Sequence, residues 1–206
     1  MIDDFIIEFD KSLKVLFDKP KSSRPRPDSH IEDTELTQNE KNCTIELMRV
    51  NQTGEVCSQA LYSGQLFFHR HSEGTESLKK ASKEEIDHLN WCNSRIHELG
   101  GKTSLLNPVW YVGSFLMGAF ASALGEKYNL GFLAETEYQV TQHLKDHLSK
   151  ISKKDLKTSK ILEVMAADEE KHAINAKELG GVELPDQVKK LMSLMSKVMT
   201  KLSAKI

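Results

Sequence analysis

A chain of 206 residues, 39% hydrophobic and 28% charged, suits one soluble domain long enough to bury a real core. Its net charge of −2 gives no reason to expect nucleic acid as a partner, and three scattered cysteines (Cys43, Cys57, Cys92) exclude a disulfide framework or a cysteine-based metal site. The opening MIDDFIIEFD carries acids where a secretion signal would carry lysines, so none is expected.

Strand patterns are nearly absent, and helix punctuation is plentiful. Residues 1–17 predict a short amphipathic helix through Phe5, Ile6, Phe9, Leu13 and Leu16. The stretch 18–36, containing DKPKSSRPRPD, reads as a linker too rich in proline and charge to pack. Thr37 and Glu40 form a capping box that opens a long helix to about residue 69. Thr75 caps the second helix, which stops at Gly100-Gly101. Asn107-Pro108 starts an apolar helix as N-cap and first-turn proline. Another helix follows to about residue 151, then one from about 155 to Gly180-Gly181, and Leu184-Pro185 opens a last amphipathic helix over 184–206. The expectation is a single all-α domain spanning 1–206, with the helical bundle in residues 37–181.

Within VMAADEEKHAINAKELGG (164–181), Met165, Glu169, His172, Ala176 and Leu179 fall on one helical stripe, because steps of three and four stay on one face. Glu169 and His172 thus sit where a core wants apolar side chains, and a buried carboxylate needs a partner or a metal. KASKEEIDHLNW repeats the spacing with Glu85 and His88, in the stripe Leu78, Ala81, Glu85, His88, Cys92 and Leu99. Both helices end in ELGG, which hints at a duplicated helix pair. Each half then needs a preceding helix with an inward acid. Glu55, thirty residues before Glu85, lies on Met48, Gln52, Glu55, Gln59 and Tyr62. Glu137, thirty-two before Glu169, lies on Leu130, Leu133, Glu137, Val140 and Leu144, whereas Glu135 is about 200° around the helix.

Four inward glutamates and two inward histidines in this arrangement match the dinuclear carboxylate site of ferritin-like bundles. Four converging carboxylates would stay partly protonated without a counter-charge. Two divalent ions neutralise them. Oxygen-rich ligation with one imidazole per metal suits iron or manganese. If Glu85 and Glu169 bridge, positions remain open for dioxygen.

RVNQTGEVCSQALYSGQ (49–65), EEIDHLNWC (84–92), ETEYQVTQHL (135–144) and DEEKHA (168–173) together resemble the demethoxyubiquinone hydroxylase family over about residues 40–181. The resemblance implies a di-iron monooxygenase of ubiquinone biosynthesis, which uses O₂ and an external reductant to hydroxylate the ring of a prenylated methoxy-benzoquinol. Carried over by position, Glu55 and His88 bind one iron, Glu137 and His172 the other, and Glu85 and Glu169 bridge. Asp168 and Glu84, one turn before His172 and His88, are candidates to orient the imidazoles. Tyr62 either lines the ring pocket or fills the core, and Gly54 marks close helix approach or access beside Glu55. His69, His71, His143 and His147 match no ligand spacing and are expected to face solvent. The competing readings are a tRNA-modifying ferritin-like hydroxylase and a ferroxidase.

LLNPVWYVGSFLMGAFASAL (105–124) has no charged side chain, yet it separates the two halves of the ligand set and so cannot span a bilayer once. It packs on the bundle, lies in the membrane interface, or pairs with a partner protein or a second copy. Interfacial insertion is favoured for a polyprenyl substrate, with Phe115 and Leu116 on the apolar face. The last helix carries Leu191, Met192, Met195, Val198, Met199 and Leu202 against five lysines, suiting either an anionic membrane surface or docking on the bundle. The expected location is peripheral, on the cytoplasmic face of a bacterial cell membrane.

Overall fold

A computed structural model describes residues 2–18, 22–68 and 73–206. These residues form seven helices in chain order: α1 (Ile2–Phe17), α2 (Gln38–Phe68), α3 (Glu73–Glu98), α4 (Asn107–Ala123), α5 (Glu126–Lys150), α6 (Leu156–Glu178) and α7 (Asp186–Ser203). No strand occurs among the described residues. Helices α2, α3, α5 and α6 form a ferritin-like bundle of two antiparallel pairs, α2–α3 and α5–α6, joined along α3–α6. Their shared core includes Met48, Trp91, Ile96, Leu144, Ile161 and Met165.

Helix ends follow local chemistry. Thr37 and Glu40 make the expected capping box: the Thr37 N–H donates to Glu40 at 2.8 Å, and the Glu40 N–H reaches back to the Thr37 hydroxyl at 3.4 Å. The two ELGG endings are the same motif. At each, the first glycine adopts a positive φ (80° at Gly100, 96° at Gly180), and the second donates to a carbonyl five residues back, at Ile96 or Ala176. Two expected caps fail. Thr75 lies buried inside α3, and Asn107 is a residue of α4. The Asn107 side chain instead bonds Gln52 and Thr53 of α2, each at 2.9 Å.

Helix α4 runs parallel to α2 with the two backbones in contact. A methyl on Gly64 would meet the Phe115 carbonyl, and one on Gly118 the Leu61 carbonyl. Among the described residues, no helix is long and apolar enough to cross a membrane. Helix α7 lies over α2 and α5, held where Arg49 donates to the Ala204 carbonyl and Ser196 meets His143 at 3.1 Å.

Three expectations about exposure are corrected. His147 is buried, and its Nδ1 bonds the Asn51 amide oxygen at 2.7 Å; burial pushes its pKa down to about 4, so the ring is neutral. His143 is half-buried. His69 and His71 lie outside the described residues, as do residues 19–21 of the linker. The remainder of the linker packs. Arg26 pairs with Asp28 and Glu98, Asp33 with Arg95 and Lys157, and Thr34 donates to the Lys154 carbonyl, so residues 22–36 run as a strap over α3 and α6. Its charges arrive in pairs with the bundle's, and its prolines limit the alternatives open to the unfolded chain.

Beneath the strap, buried Arg95 bonds Asp155 at 2.8 Å and Thr158 at 2.9 Å, while Asp155 caps α6 and accepts from Thr44 of α2. Removing one partner of a buried ion pair leaves the other uncompensated. Asp155→Ala should therefore cost about 3–5 kcal/mol in denaturant unfolding. A cost under 1 kcal/mol would show that this knot is dispensable.

Candidate metal centre

Each bundle helix sends one carboxylate inward at the same level: Glu55 from α2, Glu85 from α3, Glu137 from α5 and Glu169 from α6, joined by His88 of α3 and His172 of α6. All six are buried. They form two groups, each with one donor atom per residue lying within 4.8 Å of the others: Glu55, Glu85, His88 and Glu169, and Glu85, Glu137, Glu169 and His172. Glu85 and Glu169 belong to both. Glu135 is half-buried outside the centre and accepts from Gln139.

The imidazoles present Nδ1 to the carboxylates. His88 Nδ1 is 3.1 Å from Glu169, and His172 Nδ1 is 3.3 Å from Glu85 and 3.1 Å from Glu169. The outer nitrogens are held across the α3–α6 seam, not along their own helices. His88 Nε2 meets Asp168 of α6 at 3.0 Å, and His172 Nε2 meets Glu84 of α3 at 2.6 Å. Each acid precedes an inward glutamate by one residue, a turn of about 100° that aims it at the neighbouring helix. Tyr62 belongs to this centre too, donating its hydroxyl to Glu137 at 2.8 Å.

Burial and the Glu85 charge push the Glu55 pKa well above the carboxylate range, and burial with Glu169 and Glu85 does the same to Glu137. Burial also opposes charge on Glu85, yet His172 and His88 hold it well below that range. On the histidines burial disfavours the cation. Glu169 with Asp168 nonetheless holds His88 well above the imidazole range, and Glu169 with Glu85 holds His172 up to about 12. Protons thus occupy positions that cations would take. Six donor atoms have no hydrogen-bond partner although buried: both oxygens of Glu85, one each of Glu55, Glu137 and Glu169, and His88 Nδ1. Orphaned polar atoms at this density, five of them carboxylate oxygens, fit a pair of divalent cations. The oxygen-rich donor set favours iron or manganese over zinc or copper.

Ligation needs ionised carboxylates and neutral imidazoles, whereas the site raises the pKa of Glu55, Glu137, His88 and His172, so loading should release protons and affinity should rise with pH. Calorimetry in buffers of differing ionisation enthalpy reads this. Binding without net proton release would contradict the charge arrangement.

An apolar groove of about 160 Å³ lies beside the centre between α2, α4, α5 and α7, with Gly54, Ser58, Trp110, Phe132, Met192 and Met199 in its wall. Gly54 and Ser58 flank Glu55 in sequence, and Thr136 precedes Glu137. Open space surrounds the missing Cβ of Gly54, so it widens this wall and is not a point of close helix approach.

The sequence model of the family described as "Ubiquinone biosynthesis protein COQ7" matches residues 42–203. A Laribacter hongkongensis protein named 3-demethoxyubiquinol 3-hydroxylase is 48% identical over 203 residues, covering 98% of both chains. Proteins of the same name from Chromobacterium violaceum (48%, covering 97% of both chains) and Legionella pneumophila strain Paris (49%, covering 98% of this chain and 96% of the relative) are equally similar.

Proposed function

The chain belongs to the ubiquinone biosynthesis protein COQ7 family, and we propose that it hydroxylates the ring of 3-demethoxyubiquinol, a prenylated methoxy-benzoquinol, at a centre of two irons. The reaction inserts one oxygen atom of O₂ into a ring C–H bond and releases the other as water, with two electrons from a donor outside the chain. The observation that carries this reading is that Glu85 and Glu169 are shared by two groups of donors.

Glu55 and His88 would hold one iron, Glu137 and His172 the other, and Glu85 and Glu169 both. Bound iron supplies the redox chemistry of dioxygen. The remaining tasks fall to the protein. Asp168 and Glu84 fix the imidazoles, Tyr62 holds a proton against Glu137, and the closed bundle keeps water from the reacting atoms. The groove beside Glu55 and Glu137 offers an apolar wall to a quinol ring. That wall favours a lipid substrate over the tRNA or free iron of the competing hydroxylase and ferroxidase readings.

A prenyl tail stays in lipid, at about 0.8 kcal/mol per buried methylene, so the enzyme must work at a membrane surface. Two exposed stripes support this. Val109, Val112, Leu116 and Phe120 line the outside of α4, extended by Leu105 in the turn before it, and Leu191, Leu194 and Val198 line α7 on the other side of the groove. The proposed location is peripheral, on the cytoplasmic face of a bacterial cell membrane. The electron donor, a further biosynthetic protein or a second copy would bind from outside.

Anaerobic reconstitution with ferrous iron, followed by ¹⁸O₂ and a demethoxyquinol, tests the reading. One labelled atom should enter the ring, and Mössbauer spectra should show antiferromagnetically coupled ferric pairs. Isolated mononuclear sites, or no label in the product, would sink it.

A further inference from the structure

The crossed pairs His88–Asp168 and His172–Glu84 look equivalent, but one of them carries a third partner from the strap. Arg24 donates from Nη1 to Asp168 Oδ2 at 2.8 Å, the same oxygen that meets His88 Nε2 at 3.0 Å. Its Nη2 lies 3.3 Å from that ring nitrogen, and its guanidinium sits over Trp91, whose ring lies 5.3 Å from the His88 imidazole. The arginine is itself anchored. Its Nε donates to buried Asp87 at 2.8 Å, which also accepts from the Ser22 hydroxyl at 2.9 Å and the Ser23 N–H at 2.6 Å. Glu84 has no ion pair among the described residues except with His172.

We propose that Arg24 is a positioning residue that makes the two halves of the metal centre inequivalent, by holding Asp168 against His88 while drawing off part of its charge. The idea rests on the two-iron reading above. A carboxylate shared with a guanidinium is a weaker acceptor for an imidazole N–H, and acceptor strength tunes the donor power of a ligating histidine. His88 is therefore the weaker donor but the more rigidly placed, whereas His172, with Glu84 at 2.6 Å and no competing cation, is the stronger. The strap ties this asymmetry to the region before α2.

The test is anaerobic ferrous titration of metal-free protein, with ⁵⁷Fe Mössbauer spectra of the loaded form. The parent chain should bind two irons with two resolved quadrupole doublets of equal area. In Arg24→Ala, Asp168 regains its full charge but loses its anchor. The lost placement should outweigh the gain in acceptor strength, weaken one iron several-fold, less than the about 10–100-fold expected for losing a ligand's direct partner, and shift one doublet only. Arg24→Lys, which can still reach one carboxylate, should recover part of the affinity. Arg26→Ala, which loosens the strap at Asp28 and Glu98 without touching Asp168, should leave both irons in place. Unchanged affinity and spectra in a folded Arg24→Ala protein would overturn the proposal, as would an equal loss in Arg26→Ala. A parent chain that binds no iron pair would instead overturn the two-iron reading.

Discussion

Glu169→Ala should strip both irons from the protein, whereas Glu137→Ala should strip one. The difference follows from membership: Glu169 contributes donor atoms to both four-residue groups, and Glu137 to only one. Losing an outer partner of a ligand costs about 10–100-fold in metal affinity, so losing a ligand should cost more than about 100-fold. In Glu169→Ala that loss falls on both ions, and hydroxylation should become undetectable. Glu135→Ala is the control. Its side chain lies outside the centre against Gln139, so this variant should keep two irons. Anaerobic titration with metal analysis separates the three outcomes, and two tightly bound irons in Glu169→Ala would overturn the shared-carboxylate arrangement.

The six inward residues were legible because burying a charge breaks a helical pattern. Glu85 and Glu169 interrupt apolar stripes at i, i+3 from a histidine, and ELGG marks both halves as copies of one design. The matching Schellman turns are the structural counterpart of those letters. What surrounds the centre was not legible, since it depends on which side chains meet between helices. Asp168 and Glu84 carry the right chemistry at the right height, but a periodicity argument assigns them to their own helix, and the structure exchanges them. Arg24 lay in a stretch whose prolines and charges read as solvent-loving. A charge pattern shows that a segment can be solvated, not that three acids on α3 and α6 (Asp87, Glu98 and Asp168) await it. His147 failed for the same reason, because the partner that satisfies it, Asn51, is 96 residues away.

Leu116→Lys and Phe120→Lys on α4 should detach the enzyme from anionic liposomes without harming the iron centre. Both side chains are well exposed, at 62% and 67%, and share the outer stripe with Val109 and Val112. Phe115 is the wrong target. It is half-buried and packs edge-on against Phe67 at 5.9 Å, so a charge there would damage the α2–α4 contact itself. Burying a leucine or phenylalanine side chain is worth about 1.5–3 kcal/mol, so each lysine should weaken co-sedimentation by about tenfold or more. The stripe flanks one side of the groove and the exposed face of α7 the other, so a prenyl tail rising from lipid would meet the groove mouth between them. Turnover of a long-tailed quinol should therefore fall, and that of a short soluble analogue should not. Unchanged sedimentation would reassign this face to a partner protein or a second copy. Equal loss with both substrates would mean that the substitution had reached the centre through α2, whose backbone touches α4 at Gly64 and Gly118.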